Sequence, residues 1–217
     1  MNVLALDYDG TIAEHGTVER STWSALSEYR EGGGRLILVT GRVRRELEEV
    51  CARLDLFERV VAENGGTMFV PGEREEVVLC EEVPIAAVER LRAERVEPLS
   101  IGRAVIATLV SREARVRNVL GALGVEREFI RNKNSLMLLP KGVTKATGLG
   151  FVLKELGVDW RDVAGAGDAE NDLDFLRLCG CAVAVSNALP EVKAIAGIQT
   201  RGACGAGIVE FLASARK

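Results

Sequence analysis

The stretch Val3-Leu4-Ala5-Leu6-Asp7-Tyr8-Asp9-Gly10-Thr11 limits the possible folds of this chain more than any other. Four apolar residues run directly into two aspartates one residue apart, followed by a glycine and a hydroxyl. A short apolar run closed by a turn signal reads as a strand buried on both faces, the kind found in parallel sheets. The aspartates then fall at its carboxyl end, where open α/β sheets form their ligand crevices. Taken alone, the acidic turn also has a plainer reading, because Asp-Gly is a common turn pair.

Two more runs of this kind follow. Arg35-Leu36-Ile37-Leu38-Val39 stops at Thr40-Gly41-Arg42, and Val60-Val61-Ala62 stops at Glu63-Asn64-Gly65-Gly66. Between them lie helical patterns: Glu19 to Glu31, closed by three glycines, then a stripe of Val43, Leu47, Val50, Cys51 and Leu54. Alternating strand and helix predicts a parallel sheet covered on both faces. The style changes at Thr67, where two short runs flank Pro71-Gly72 and predict a hairpin. Beyond it the chain has its own inventory: a helix from Pro84, a strand over Ala104 to Val110, a helix over Arg112 to Leu123, and two strands around Asn132-Lys133-Asn134. After Thr144 the first style returns, with a strand ending in Gly167-Asp168-Ala169-Glu170-Asn171-Asp172 and another over Ala182 to Val185. The expected fold is therefore α/β: a Rossmann-like parallel-sheet core (residues 1–81 and 143–217) with a small α+β domain (82–142) inserted into it.

Composition narrows the chemistry. A net charge of −4 argues against a general nucleic-acid binder, whose footprint would be basic. No apolar run approaches the ~20 residues of a membrane span, and the N-terminus lacks signal-peptide features, so a cytoplasmic protein is expected. The five cysteines lack metal-site spacing and read as small buried hydrophobes. With His15 the only histidine, Ser-His-Asp, Cys-His and multi-histidine metal sites are disfavoured. Carboxylates, lysine and hydroxyls remain.

Three predicted strands end in such groups: Asp7 and Asp9, Thr40, and Asp168 with Asp172. In a parallel sheet these ends share one edge, so residues distant in sequence converge there. Four carboxylates in one crevice repel, and several cannot stay ionised together without a cation. Hard oxygen donors suit Mg²⁺, which commonly joins one or two carboxylates to a substrate phosphate. Lys145, at the start of a predicted helix, supplies a fixed positive charge for phosphate oxygens. Rival motifs fail. A calcium loop starting at Asp7 would need glycine and glutamate where Ile12 and Val18 stand, no GxxxxGK[ST] occurs, and Gly165-Ala166-Gly167 is followed by Glu170 where a dinucleotide loop wants glycine.

The four segments Asp7-Tyr8-Asp9-Gly10-Thr11, Val39-Thr40-Gly41-Arg42, Lys145 and Gly167 to Asp172 resemble the four ordered motifs of the haloacid dehalogenase (HAD) superfamily, best of all its phosphatases. The insertion between the second and third motifs resembles the family's C2-type cap. Its small size is similar to the Cof/sucrose-phosphatase-like branch and to archaeal-type 2-phosphoglycolate phosphatases. Gly66 and Gly165 stand where the family usually has alanine and a bulkier residue. The resemblance implies that Asp7 attacks phosphorus to give an aspartyl-phosphate, while Asp9 acts as acid and then base. It implies that Thr40, Gly41, Lys145 and Asn171 bind or support the phosphoryl group. Mg²⁺ would be held by Asp7, the Asp9 backbone carbonyl, Asp168 and Asp172. The implied partner is a small phosphorylated metabolite, 2-phosphoglycolate first and a sugar phosphate or phosphoglycerate next, with a phosphomutase as the less favoured reaction. Arg42 and His15 read as structural or incidental, and Asn132-Lys133-Asn134 as a plain turn or a substrate-reading loop. A homodimer is compatible with the sequence.

Overall fold

A computed structural model describes residues 2–215; Met1, Arg216 and Lys217, which the expected core range includes, lie outside them. The chain runs β1 (Val3–Leu6), α1 (Arg20–Glu31), β2 (Arg35–Val39), α2 (Arg44–Val50), β3 (Arg59–Ala62), β4 (Thr67–Phe69) and β5 (Glu76–Val78). It continues through α3 (Ile85–Ala93), β6 (Ser100–Ile101), β7 (Ile106–Leu109), α4 (Glu113–Leu123), β8 (Glu128–Asn132) and β9 (Ser135–Leu139). It closes with α5 (Lys145–Leu156), β10 (Val163–Gly167), α6 (Leu173–Leu178), β11 (Cys181–Ala184), α7 (Pro190–Ile195), β12 (Ile198–Gln199) and α8 (Cys204–Ala215).

The main sheet has the order β12-β11-β10-β1-β2-β3-β4-β5, parallel from β12 to β3, with β4 and β5 added antiparallel as a hairpin. From β1 the chain first moves one way to β2 and β3, then returns to β10 on the other side of β1. Right-handed crossovers place helices of opposite direction on opposite faces. Accordingly α1 packs with α8, and α5 packs with α6. Both faces being covered, β1 is apolar throughout and β2 is apolar after Arg35 at its start, with the residues from Leu36 to Val39 fully buried. The point where strand order reverses, between β1 and β10, opens a crevice at the strands' carboxyl ends.

A separate four-stranded antiparallel sheet, β6-β7-β9-β8, carries α3 and α4. It has its own apolar cluster, which includes Leu91, Val96, Ile106, Val116, Leu120 and Leu138. A smaller cluster of Val43, Val105, Met137, Leu139 and Val143 joins it to the main body. Sequence and structure differ at α2, whose stripe was expected to run on to Leu54. The helix stops at Cys51, Leu54–Leu56 form a separate turn, and Val50 faces outward.

The clearest link between the two sheets is Glu63, a carboxylate buried just beyond β3. Its Oε1 accepts the Arg103 N–H at 2.9 Å, and its Oε2 accepts those of Ala104 at 2.7 Å and Val105 at 2.9 Å. Burial pushes its carboxyl above the usual range, although the three N–H donors pull the other way. Glu63→Gln turns a donor toward a backbone N–H that needs an acceptor. It is expected to destabilise the protein by about 1–3 kcal/mol in urea unfolding; an unchanged midpoint would show that the contact contributes nothing.

Candidate active site

Asp7 continues the β1 ladder, its N–H bonding Ala166 O at 3.0 Å, and so stands at the switch point. Tyr8 points the other way, fully buried, with its hydroxyl 3.1 Å from the carbonyls of Gly16 and Val50. This period-two alternation throws Asp7 and Asp9 to the crevice side. The loop then tightens, the N–H groups of Ile12 and Ala13 both returning to Tyr8 O. Gly10 has φ +88°, and a Cβ there would collide with the Asp168 carboxylate. Glycine lets the two acidic loops meet.

Lys145 is the first residue of α5. Thr144 caps that helix reciprocally with Thr147, which fixes where it begins. Gly65, at φ +101°, lies so close that a Cβ would strike the Thr144 carbonyl. A lysine in a helix's first turn is disfavoured by the macrodipole, and burial adds to the cost. Two carboxylates overcome both: Lys145 Nζ lies 2.5 Å from Asp7 Oδ1 and 2.6 Å from Asp172 Oδ1. Burial alone would lower its pKa, but these neighbours raise it, so the ammonium stays charged.

Asp172 uses its other oxygen, Oδ2, to accept the N–H groups of Asp168 (2.9 Å) and Ala169 (3.0 Å), which shapes the acidic loop after β10. Asp168 is fully buried and accepts Thr11 Oγ1–H at 3.3 Å and Lys133 Nζ–H at 2.5 Å. Burial, reinforced by Asp172, pushes the Asp168 carboxyl up against the pull of Lys133. Burial likewise pushes Asp7 well above the carboxylate range, and Lys145 only partly offsets it.

Oxygens of Asp7, Asp168 and Asp172 lie within 4.8 Å of one another, a compact set of three hard donors. Three buried carboxylates against one buried ammonium leave an excess of negative charge, which suits an oxygen-loving divalent cation. The residues present therefore fit a metal.

Asp9 is the exception among the four expected acids. Its carboxylate is turned out of this cluster and held by both arms of Arg42, Nε at 2.6 Å and Nη2 at 2.8 Å. The sequence placed Asp9 in a crevice crowded by the other carboxylates; instead the guanidinium of Arg42 draws its side chain away from them. The sequence made Asp9 a metal ligand through its backbone carbonyl, a group that the pairing with Arg42 does not use. Thr40 is buried and accepts the Arg42 N–H at 3.1 Å. It does not cap α2, whose N-cap is Val43. Gly41 faces the inserted sheet, where a Cβ would come within 3.1 Å of Met137 Sδ. Asn171 is buried and donates to Asn64 Oδ1 at 2.9 Å, while its own Oδ1 has no partner among the described residues.

A cleft of about 710 Å³ opens here, lined on one side by Asp7, Asp9, Gly41 and Arg42 and on the other by Asn132 to Ser135 and Met137. His15 lines it too. Sequence reasoning missed Arg42 as the holder of Asp9, and Glu63 as the tie between sheets. A signal for Arg42 exists once strands are paired: Leu6 lies opposite Leu38, so Asp9 and Arg42 follow three and four residues later at one edge. Glu63 has none, because its partners are backbone groups 40 residues or more away.

Comparison with known proteins matches residues 4–96 and 115–212 to the haloacid dehalogenase-like hydrolases. A phosphoglycolate phosphatase of Methanothermobacter thermautotrophicus is 29% identical, the match covering 97% of this chain and 96% of that protein. Phosphoglycolate phosphatase 2 of Saccharolobus solfataricus is 31% identical over 97% of this chain and 90% of its own. Among solved structures, a haloacid dehalogenase-like hydrolase from Bacteroides thetaiotaomicron superposes with a TM-score of 0.81 at 20% identity, covering 99% of both chains, and so shares the fold. With that match spanning both halves of the chain and including all three acidic positions of the cluster, the chain belongs to the haloacid dehalogenase-like hydrolases.

Proposed function

We propose that this HAD-type phosphatase is a Mg²⁺-dependent phosphomonoester hydrolase that works through an aspartyl-phosphate on Asp7, with 2-phosphoglycolate as its substrate. The observation that carries this reading is Lys145 bridging Asp7 and Asp172 inside a buried acidic cluster at the sheet's switch point. A carboxylate held there lines the cleft and is fixed in place by a buried ammonium, which suits attack on phosphorus.

An Asp7 oxygen forms a bond to phosphorus as the phosphorus–oxygen bond to the leaving group breaks. The leaving oxygen takes a proton from Asp9, which for this step turns from Arg42 and carries a proton. In the second half a water oxygen attacks phosphorus, the Asp7–phosphorus link breaks, and Asp9 accepts the water's proton. Thr40 keeps its hydroxyl proton available for a phosphoryl oxygen, its own oxygen being occupied by the Arg42 N–H. Lys145 opposes the charge that builds on the transferring group. Mg²⁺ on Asp7, Asp168 and Asp172, when bound, supplies further charge neutralisation for the phosphoryl oxygens. The names of the two phosphatase relatives support the two-carbon acid as substrate. Five unpaired thiols and a phosphorylated metabolite fit a cytoplasmic setting.

The test is phosphate release from a panel of small phosphate esters, with Mg²⁺ and with chelator. Turnover of 2-phosphoglycolate above sugar phosphates and 3-phosphoglycerate, lost with chelator, is the expected result. Faster turnover of a sugar phosphate overturns the substrate, and absence of any turnover overturns the reaction.

A further inference from the structure

We propose that Lys133, at the tip of the inserted sheet, binds the carboxylate of the substrate's leaving group and thereby selects phosphorylated small carboxylic acids over neutral phosphate esters. The proposal rests on the phosphatase reading above and assigns the subsite that the leaving group enters.

The cleft narrows the choice by elimination. Its wall on the side of the inserted sheet consists of Ala107, Asn132, Lys133, Asn134, Ser135 and Met137, of which Lys133 alone is charged. This wall faces Asp7 across the cleft, and apart from Arg42 the other charged residues of the lining, Asp7, Asp9, Glu14 and Glu46, are acidic, so a negatively charged leaving group is favoured on the side of Lys133. The other cations are committed. Arg42 gives both arms to Asp9, and Lys145 lies buried between Asp7 and Asp172. Lys133 is different: its side chain is 50% exposed, and a single carboxylate oxygen, Asp168 Oδ2, is its partner. An ammonium has three donors. Two of them have no protein acceptor among the described residues.

The backbone is consistent with a residue placed for a purpose. Lys133 and Asn134 are the two central residues of the β8–β9 turn, with Asn132 paired to Ser135. Lys133 has φ 52°, a left-handed conformation that residues with a Cβ rarely adopt. Glycine would be the easy choice for such a turn. Strain of this kind, when observed, points to a side chain that the site requires. Its Nζ is thus carried across the cleft to Asp168, whose carboxylate belongs to the acidic cluster. A cation held by that cluster would share the Asp168 charge and so would loosen that carboxylate's hold on Lys133. The ammonium then lies beside the phosphate position with its attraction available to a second anion. Phosphoglycolate has one, a carboxylate a single carbon from the ester oxygen. Ethyl phosphate has the same length and no such charge.

The experiment compares 2-phosphoglycolate with ethyl phosphate in the wild-type protein, Lys133→Met and Lys133→Arg, each checked for an unchanged circular dichroism spectrum and unfolding midpoint. In Lys133→Met the ratio of kcat/KM values, acid over neutral ester, is expected to fall about 30-fold or more, chiefly through KM, as befits a lost charge-assisted hydrogen bond. Lys133→Arg keeps most of the ratio. If wild type shows no preference for the acid, or if Lys133→Met slows both esters in parallel with the ratio within about threefold, Lys133 is not the reader. Absence of turnover of every ester by the wild type is a distinct result that removes the parent reading, and this one with it.

Discussion

Asp7→Asn is expected to lower kcat/KM by about four orders of magnitude or more, the scale on which loss of a nucleophile acts. The amide has the same shape but no anionic oxygen to form the bond to phosphorus. The fold should survive the change. In the native cluster Asp7 is buried and repelled by Asp168 and Asp172, which is why its carboxyl is held well above the usual range. Removing its charge relieves that repulsion, and Lys145 keeps Asp172 as a partner at 2.6 Å. An unfolding midpoint equal to or above that of the wild type, together with lost phosphate release, is the predicted pair of results. Activity within tenfold of wild type would remove Asp7 from the role of nucleophile.

Lys145→Met is expected to damage both properties. Asp7 and Asp172 would each lose a buried ammonium, and breaking a buried ion pair from one side costs about 3–5 kcal/mol. Turnover should fall about 10²–10³-fold through the lost stabilisation of charge on the phosphoryl group. The stability loss has a direction in pH. Burial raises the Asp7 carboxyl in the folded state and Lys145 lowers it, so the variant raises it further. Between the unfolded and folded pKa values the folded state then binds more protons than the unfolded one. Stability therefore falls as pH rises through that window. Chelated variant protein should be most deficient near neutrality and approach wild type on acidification, measured by urea midpoints at several pH values. A penalty that grows on acidification would mean that Lys145 does not balance Asp7.

Much of this was legible in the sequence, and the reasons are physical. Parallel strands covered on both faces must be apolar where they are buried, so the runs before Asp7, Thr40 and Asp168 declared themselves and their polar ends marked one edge. Helix ends were equally plain where glycine takes the left-handed conformation, as at Gly124 and Gly157. Two-residue strands were not: β6 and β12 are too short to show a period, and they form because a neighbour offers hydrogen bonds. The end of α2 was misjudged because Leu54 keeps helical spacing while belonging to the next turn. In the site, residue types told which groups carry charge but not which pairs form. Arg42 could be placed on Asp9, or Lys133 on Asp168, only after strand order and the meeting of two sheets were known.

Lys145 has one more consequence. The acidic cluster of this protein carries its own internal counterion, tethered to a capped helix and unable to diffuse away. Domains whose metal supplies the folding free energy come apart when it is stripped. Here the tethered ammonium already bridges two of the three clustered carboxylates. The scaffold is therefore expected to assemble before any cation is bound, the proposed Mg²⁺ entering as a reagent and not as a brace.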